Sequence, residues 1–125
     1  MNTKLASRLN RPLTIGRAVI GNRLALAPMT FLGHIAFREL LAGFGGYGLL
    51  FSEMCSARRI PQEAGGQSAY FCWREEERNH LVIQIFGEDP APMAKAARII
   101  EDCGLFGVDL NFGCSVAAIC KQQCG

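Results

Sequence analysis

The stretch LVIQIFGEDPAPMAKAARIIEDCGLFGVDLN, residues Leu81 to Asn111, contains one complete strand–helix–strand unit, and its reading decides the fold. Leu81 to Phe86 is an apolar run interrupted only by Gln84, and its length suits a strand. Asp89 suits a helix N-cap because its carboxylate can accept an orphan backbone N–H. Pro90 suits the first helical position, where its missing N–H is not needed. Met93, Ala96, Ala97 and Ile100 then recur at helical spacing as one apolar stripe. Gly104 suits the helix stop, and Gly107 to Asn111 reads as the next strand. Val82 and Ile83 point to opposite faces and are both apolar. Both faces of this strand are therefore expected to be covered, as in a parallel sheet flanked by helices.

The same grammar runs back toward the N-terminus. Tyr47 to Glu53 reads as a strand, again apolar on both faces through Leu49, Leu50 and Phe51. His34 to Phe44 reads as a helix whose apolar face carries Phe37, Leu40, Leu41 and Phe44, with Gly43, Gly45 and Gly46 ending it. Leu24 to Pro28 is a short strand stopped by proline. Strand starts fall roughly 23 to 34 residues apart, which suits a βα repeat. Leu13, Ile15, Val19 and Ile20 around Gly16 predict a small hairpin ahead of the repeat, with Pro12 leading its first strand. The polar segment from Ser56 to Asn79 carries no assignable period, and the residues from Ser115 look like another helix start. The fold expected is α/β, a (β/α)8 TIM barrel of which the chain holds about the first four βα units, with strands in order 1-2-3-4 and helices on one face. A closed barrel typically needs about 250 residues, so residues 1–125 read as the N-terminal part of one catalytic domain in a truncated chain. Half a barrel leaves two sheet edges unpaired, so the isolated chain is expected to be marginal.

Composition narrows the function classes. Half of the 125 residues are hydrophobic, which fits a globular core rather than disorder. The net charge of +2 is too small to argue for nucleic acid by itself. Lys4, Arg8, Arg11, Arg17 and Arg23, and the pair Arg58-Arg59, are the candidates for a local basic patch. No secretory signal or apolar span is visible, so a cytoplasmic protein with no membrane partner is expected. In that compartment Cys55, Cys72, Cys103, Cys114, Cys120 and Cys124 are expected as reduced thiols. The cluster Cys114, Cys120 and Cys124 lacks the paired spacing of a structural zinc site, so no metal is expected.

In parallel α/β folds the chemistry sits at the carboxyl ends of the strands. Those ends are Pro28-Met29-Thr30, Ser52-Glu53-Met54, Gln84, and Asn111-Phe112-Gly113-Cys114. Gln84 lies in an otherwise apolar strand, and a buried amide must find hydrogen bonds. It either bonds neighbouring backbone or offers its planar edge to a heterocycle. Asn111 is either a ligand contact or a helix cap, and Gly113 permits close approach of backbone to a ligand. Cys114 is either a small buried hydrophobe or a proton donor. Glu53 is a site carboxylate or, more commonly at such a position, a structural partner.

Taken together, these residues resemble one family. The run Asn22 to Met29, then Phe37-Arg38, Ser52-Glu53-Met54, Gln84 to Gly87 and Asp109 to Cys114 are similar, in collinear order, to the tRNA-dihydrouridine synthases. The last motif is the specific one. The resemblance implies FMN at a barrel mouth, with Pro28, Met29 and Thr30 along the flavin and Gln84 bonding its ring edge. It implies NADPH as reductant and tRNA as partner, with Asn111 facing the target uracil. The activity implied is reduction of uridine to 5,6-dihydrouridine, with hydride from reduced FMN arriving at C6 and a proton from Cys114 at C5. The chain departs from the family pattern at Ser115, where proline is usual, at Ala117 and Ala118, where lysine is common, and at Gly33-His34, which replace a Thr-Asp pair. A flavin-contacting lysine, phosphate-binding loops and a helical RNA-binding domain would lie beyond Gly125. Two alternatives stand beside this reading. One is another FMN barrel, of the dihydroorotate dehydrogenase or old-yellow-enzyme type, acting on a small molecule. The other is an inactive half-barrel.

Overall fold

The computed structural model describes residues 3–63 and 68–124. Residues 64–67 of the polar segment lie outside the described residues. The chain opens with a short helix, α1 (Thr3–Leu9), for which the mixed polar and apolar N-terminus offered no helical stripe; it buries no residue. The hairpin follows as β1 (Leu13–Ile15) and β2 (Ala18–Ile20), paired antiparallel with Leu13 opposite Ile20. The repeat then runs β3 (Ala25–Leu26), α2 (Ile35–Phe44), β4 (Leu49–Ser56), α3 (Ile60–Glu63), β5 (Leu81–Phe86), α4 (Pro90–Asp102), β6 (Gly107–Leu110) and α5 (Ala117–Cys120), with a 3-10 turn at Glu75–Glu77. Among the described residues no helix is long and apolar enough to cross a membrane.

Strands β3, β4, β5 and β6 form one parallel sheet in chain order. The sheet is open, with β3 and β6 at its edges. Its two faces are covered differently. Leu81, Ile83 and Ile85 of β5 pack with Leu50 and Cys55 of β4 against Ala96 and Ile100 of α4. Burying such a side chain fully is worth about 1.5–3 kcal/mol, so this layer is the main apolar core. Val82, on the opposite face, packs with Leu49 and with Ile20 of the hairpin. The hairpin therefore covers the amino ends of the strands and leaves the carboxyl ends free. Gln84 shares the face of Val82 but lies two residues nearer the open end.

The helix ends obey local rules. Asp89 caps α4 by accepting the Ala91 N–H, with Pro90 at its first turn. His34 caps α2 through its ring, which accepts the Phe37 N–H at 3.4 Å, and Gly45 ends that helix at φ 67°. Two expectations need correction. The first strand spans only Ala25–Leu26, not Leu24–Pro28. Pro28 has no N–H to give a ladder, and the chain turns directly after it. The apolar face read on α2 is not buried either: Leu40 is 60% and Phe44 81% exposed. The residue that α2 buries is Arg38, 1% exposed. Its guanidinium donates to Glu77 at 2.6 Å, to the Gly33 carbonyl at 2.6 Å and to the Cys72 carbonyl at 2.8 Å. Helical periodicity found the helix, but a charge network outside that helix fixes which side faces in.

Candidate functional site

A cleft of about 420 Å³ opens at the carboxyl ends of the strands, lined by Pro28, Thr30, Met54, Gln84, Leu110, Asn111, Phe112, Gly113 and Cys114. These residues come from four strand ends, so register decides which of them meet. The register of β4 against β5 slips between Phe51 and Met54, where β4 has one residue more than its partner. Bulges of this kind re-aim side chains beside functional sites. Here the bulge turns Ser52 inward, and its hydroxyl accepts the Gln84 N–H at 3.0 Å while donating to the Glu53 carbonyl at 2.7 Å.

The loop after β3 is held from beneath. The Met29 carbonyl accepts the N–H groups of Leu32 at 3.1 Å and Gly33 at 2.8 Å. Phe31 sits at φ 65°, a region disfavoured for side-chain-bearing residues, and gives its N–H to Glu53 Oε2 at 2.7 Å. Glu53 is buried, so this is its structural role. Gly33 lies so close to the Ser52–Glu53 backbone that a Cβ there would stand 3.0 Å from the Glu53 nitrogen. Pro28 and Thr30 thus reach the cleft, whereas Met29 does not line it. Its main chain makes the turn.

The far wall is a ladder of side-chain amides. Gln84 Nε2 donates to Asp109 at 2.6 Å. Asn111 Nδ2 donates to Gln84 Oε1 at 3.1 Å and faces the Met54 thioether at 2.9 Å. Asn111 Oδ1 accepts the N–H groups of Gly113 and Cys114, both at 3.2 Å. Asn111 therefore caps the turn and lines the cleft at once, and Gln84 bonds its neighbours while remaining at the cleft surface. Cys114 is half-buried at the mouth, and its carbonyl accepts from the Cys120 thiol at 3.4 Å. Sequence reasoning did not single out Asp109 as a site residue, nor the inward turn of Ser52. The available signal was Asp109 itself, two residues before Asn111 and so on the same face of β6. Its register partner is Gln84.

All six cysteines are free thiols. Burial pushes the Cys55 thiol up to about 12 from 9.0. Burial also raises Cys72, Cys103 and Cys124, the last with help from its hydrogen bond to Glu88. Thiolate is the form that alkylates. Iodoacetamide near pH 8 is therefore expected to modify exposed Cys120 in the native protein and to spare Cys55 until urea is added, as peptide mass mapping would show. Because the folded pKa of Cys55 is raised, its contribution to stability is complete below 9.0 and is lost as pH climbs from 9.0 toward about 12. Cys55→Ala should flatten that part of the stability–pH profile; an unchanged slope would contradict the assignment.

An open parallel βα sheet with a cleft at the carboxyl strand ends defines a class: the α/β proteins, whose ligand sites generally lie where the strands end. Residues 25–125 match the family model for dihydrouridine synthase (Dus), and the chain belongs to that family. It is similar to a probable tRNA-dihydrouridine synthase of Rickettsia bellii, 30% identical over 113 residues, covering 90% of this chain and 34% of the relative. It is also similar to tRNA-dihydrouridine synthase B of Salmonella typhimurium, 34% identical over 113 residues, covering 90% of this chain and 35% of the relative. The same name belongs to a relative from Pasteurella multocida, 33% identical over 114 residues, covering 90% of this chain and 33% of the relative. The chain thus spans about a third of the length of these relatives.

Proposed function

We propose that residues 1–125 form the N-terminal part of a (β/α)8-barrel catalytic domain that reduces uridine to 5,6-dihydrouridine in tRNA, in the cytoplasm, using FMN and NADPH. The observation that carries this reading is the convergence of Gln84, Asn111 and Cys114 on one cleft. The names of the relatives support the tRNA substrate.

The donor set suits a flavin. After its bonds to Asp109 and Asn111, Gln84 keeps one amide N–H and one acceptor lone pair, which complement the edge of a planar heterocycle. Pro28 and Thr30 supply the wall beside it, and the Met29 backbone keeps their loop in place. When bound, FMN supplies the hydride for the uracil C6, with NADPH as the source of electrons. Asn111 orients the base. Its N–H toward the Met54 thioether has a weak acceptor and is the one free to turn to a uracil carbonyl. Cys114 gives its proton to C5 from the mouth of the cleft. A uracil reaches such a cleft only when unstacked, so an RNA loop is the natural target.

The test offers alternative oxidants to the protein reduced with NADPH. Unmodified tRNA should restore the flavin absorbance and gain dihydrouridine. Restoration by small enones and not by tRNA would establish a small-molecule FMN enzyme instead. Absence of flavin from a version extended to the length of the relatives, and no binding on addition of FMN to it, would favour a non-catalytic half-barrel.

The strength of FMN binding is a separate expectation. Among the described residues, no lysine or arginine lines the cleft. A flavin phosphate needs cations or backbone N–H donors, which barrels supply in late loops. FMN titrated into the 125-residue chain should bind much more weakly than into a version extended to the length of the relatives. Equal affinity would refute the claim.

A further inference from the structure

We propose that Asp109 is a positioning residue that anchors the accepting end of the amide ladder and so, with the backbone N–H groups at its other end, fixes which edge of Gln84 the cleft offers. This rests on the proposed function only for its consequence, the kind of ligand atom preferred, and not for its geometry. A side-chain amide has a donor end and an acceptor end of almost the same shape, so an isolated Gln84 could sit either way round. An ionised carboxylate only accepts. With Asp109 at 2.6 Å, the Gln84 amine must point to it, because the reversed amide would set oxygen against oxygen. Gln84 Oε1 then faces Asn111, which must donate its own amine at 3.1 Å. That leaves Asn111 Oδ1 to the N–H groups of Gly113 and Cys114. The ladder starts on a group that only accepts and ends on groups that only donate, so both ends impose the same direction. The remaining Gln84 N–H is consequently tied to the Asp109 end of the amide, and the cleft presents a donor there, suited to a carbonyl or imine acceptor of a ligand.

The experiment reads the side-chain NH2 resonances of Gln84 and Asn111 by ¹⁵N NMR, with their exchange against solvent. Asp109→Leu removes the acceptor, and exchange of the Gln84 NH2 should quicken about tenfold or more, as expected when a charge-assisted hydrogen bond is lost. Asp109→Asn keeps the shape and a neutral acceptor. Because the Gly113 and Cys114 N–H groups still orient the ladder from its other end, Gln84 should keep one set of resonances, with NH2 exchange between that of the parent and that of Asp109→Leu. Adding Gln84→Glu to Asp109→Asn moves the acceptor-only group one place along. The carboxylate introduced at position 84 would accept from the amide introduced at position 109 and from Asn111, so both of those NH2 groups should exchange slowly. A merely space-filling Asp109 predicts parental exchange of the Gln84 NH2 in Asp109→Leu. That result, or a freely exchanging NH2 at position 109 in the double variant, would overturn the proposal. The readout needs no flavin, NADPH or tRNA, so failure of the proposed activity and failure of this inference are distinguishable.

Discussion

Replacing Cys114 by Ala, in a version of this protein extended to the length of its relatives, is expected to slow the tRNA-driven half of the reaction by about 10²–10⁴-fold, the usual contribution of a positioned general acid. The NADPH-driven half should stay almost unchanged, because it involves no uracil. The argument starts from charge. Hydride arrival at C6 leaves negative charge at C5, and an acid within reach must neutralise it. Among the residues lining the cleft, Cys114 is the side chain with a proton to give at the Asn111 end. Its backbone is fixed by the bond from its N–H to Asn111 Oδ1, so in the proposed reaction base orientation and proton delivery would share one anchor. Cys120→Ala and Cys124→Ala are the controls. Cys120 is exposed, and Cys124 is buried against Glu88. Rapid-mixing absorbance follows each half separately: loss of the flavin band with NADPH, and its return with tRNA. Return at the parental rate in Cys114→Ala would place the acid elsewhere.

The second large effect is on stability. Arg38→Met should destabilise the fold by about 3–5 kcal/mol, the range for breaking a buried ion pair by removing one partner. The Arg38 and Glu77 side chains are 1% and 0% exposed. Without Arg38, the Glu77 carboxylate stays buried with, among the described residues, only the Arg74 side chain at 3.0 Å and the Arg74 N–H at 3.2 Å. The Gly33 and Cys72 carbonyls also lose their donors. Arg38→Met combined with Glu77→Met should recover much of the loss, because no unpaired charge remains. Urea denaturation with an unchanged slope measures both. A loss below about 1 kcal/mol for Arg38→Met, typical of a surface pair, would show that the network is solvated. Gly33 belongs to the loop that carries Thr30, so the same substitution should loosen the cleft.

Much of the framework was legible in advance. The unit from Leu81 to Gly107 was readable because periodicity, an Asp cap and a proline at the first turn depend only on residues close in the chain. The strand order and the hairpin followed from spacing and from Gly16. The candidate site was legible as a set of strand ends, and Pro28, Thr30, Gln84, Asn111 and Cys114 do meet in one cleft. Met29 does not line that cleft, because which residues of a tight turn face inward depends on the bonds closing it, here from Leu32 and Gly33. The exposed face of α2 misled for a related reason. Hydrophobic spacing marks a stripe, but Arg38 finds its partners 34 and 39 residues further along the chain.

By itself, then, the sequence determined the alternation of parallel strands and helices, the hairpin ahead of them, and the short list of polar residues at the strand ends. Local sterics and hydrogen bonding within a few residues are enough for that. Only the tertiary structure decided how those residues act together. The one-residue bulge in β4 brings Ser52 under Gln84, and the register of β5 on β6 sets Asp109 beside it. Those pairings join residues 25 and 32 positions apart. Nothing in local propensity encodes them, because they arise from the way neighbouring strands align when their apolar faces pack.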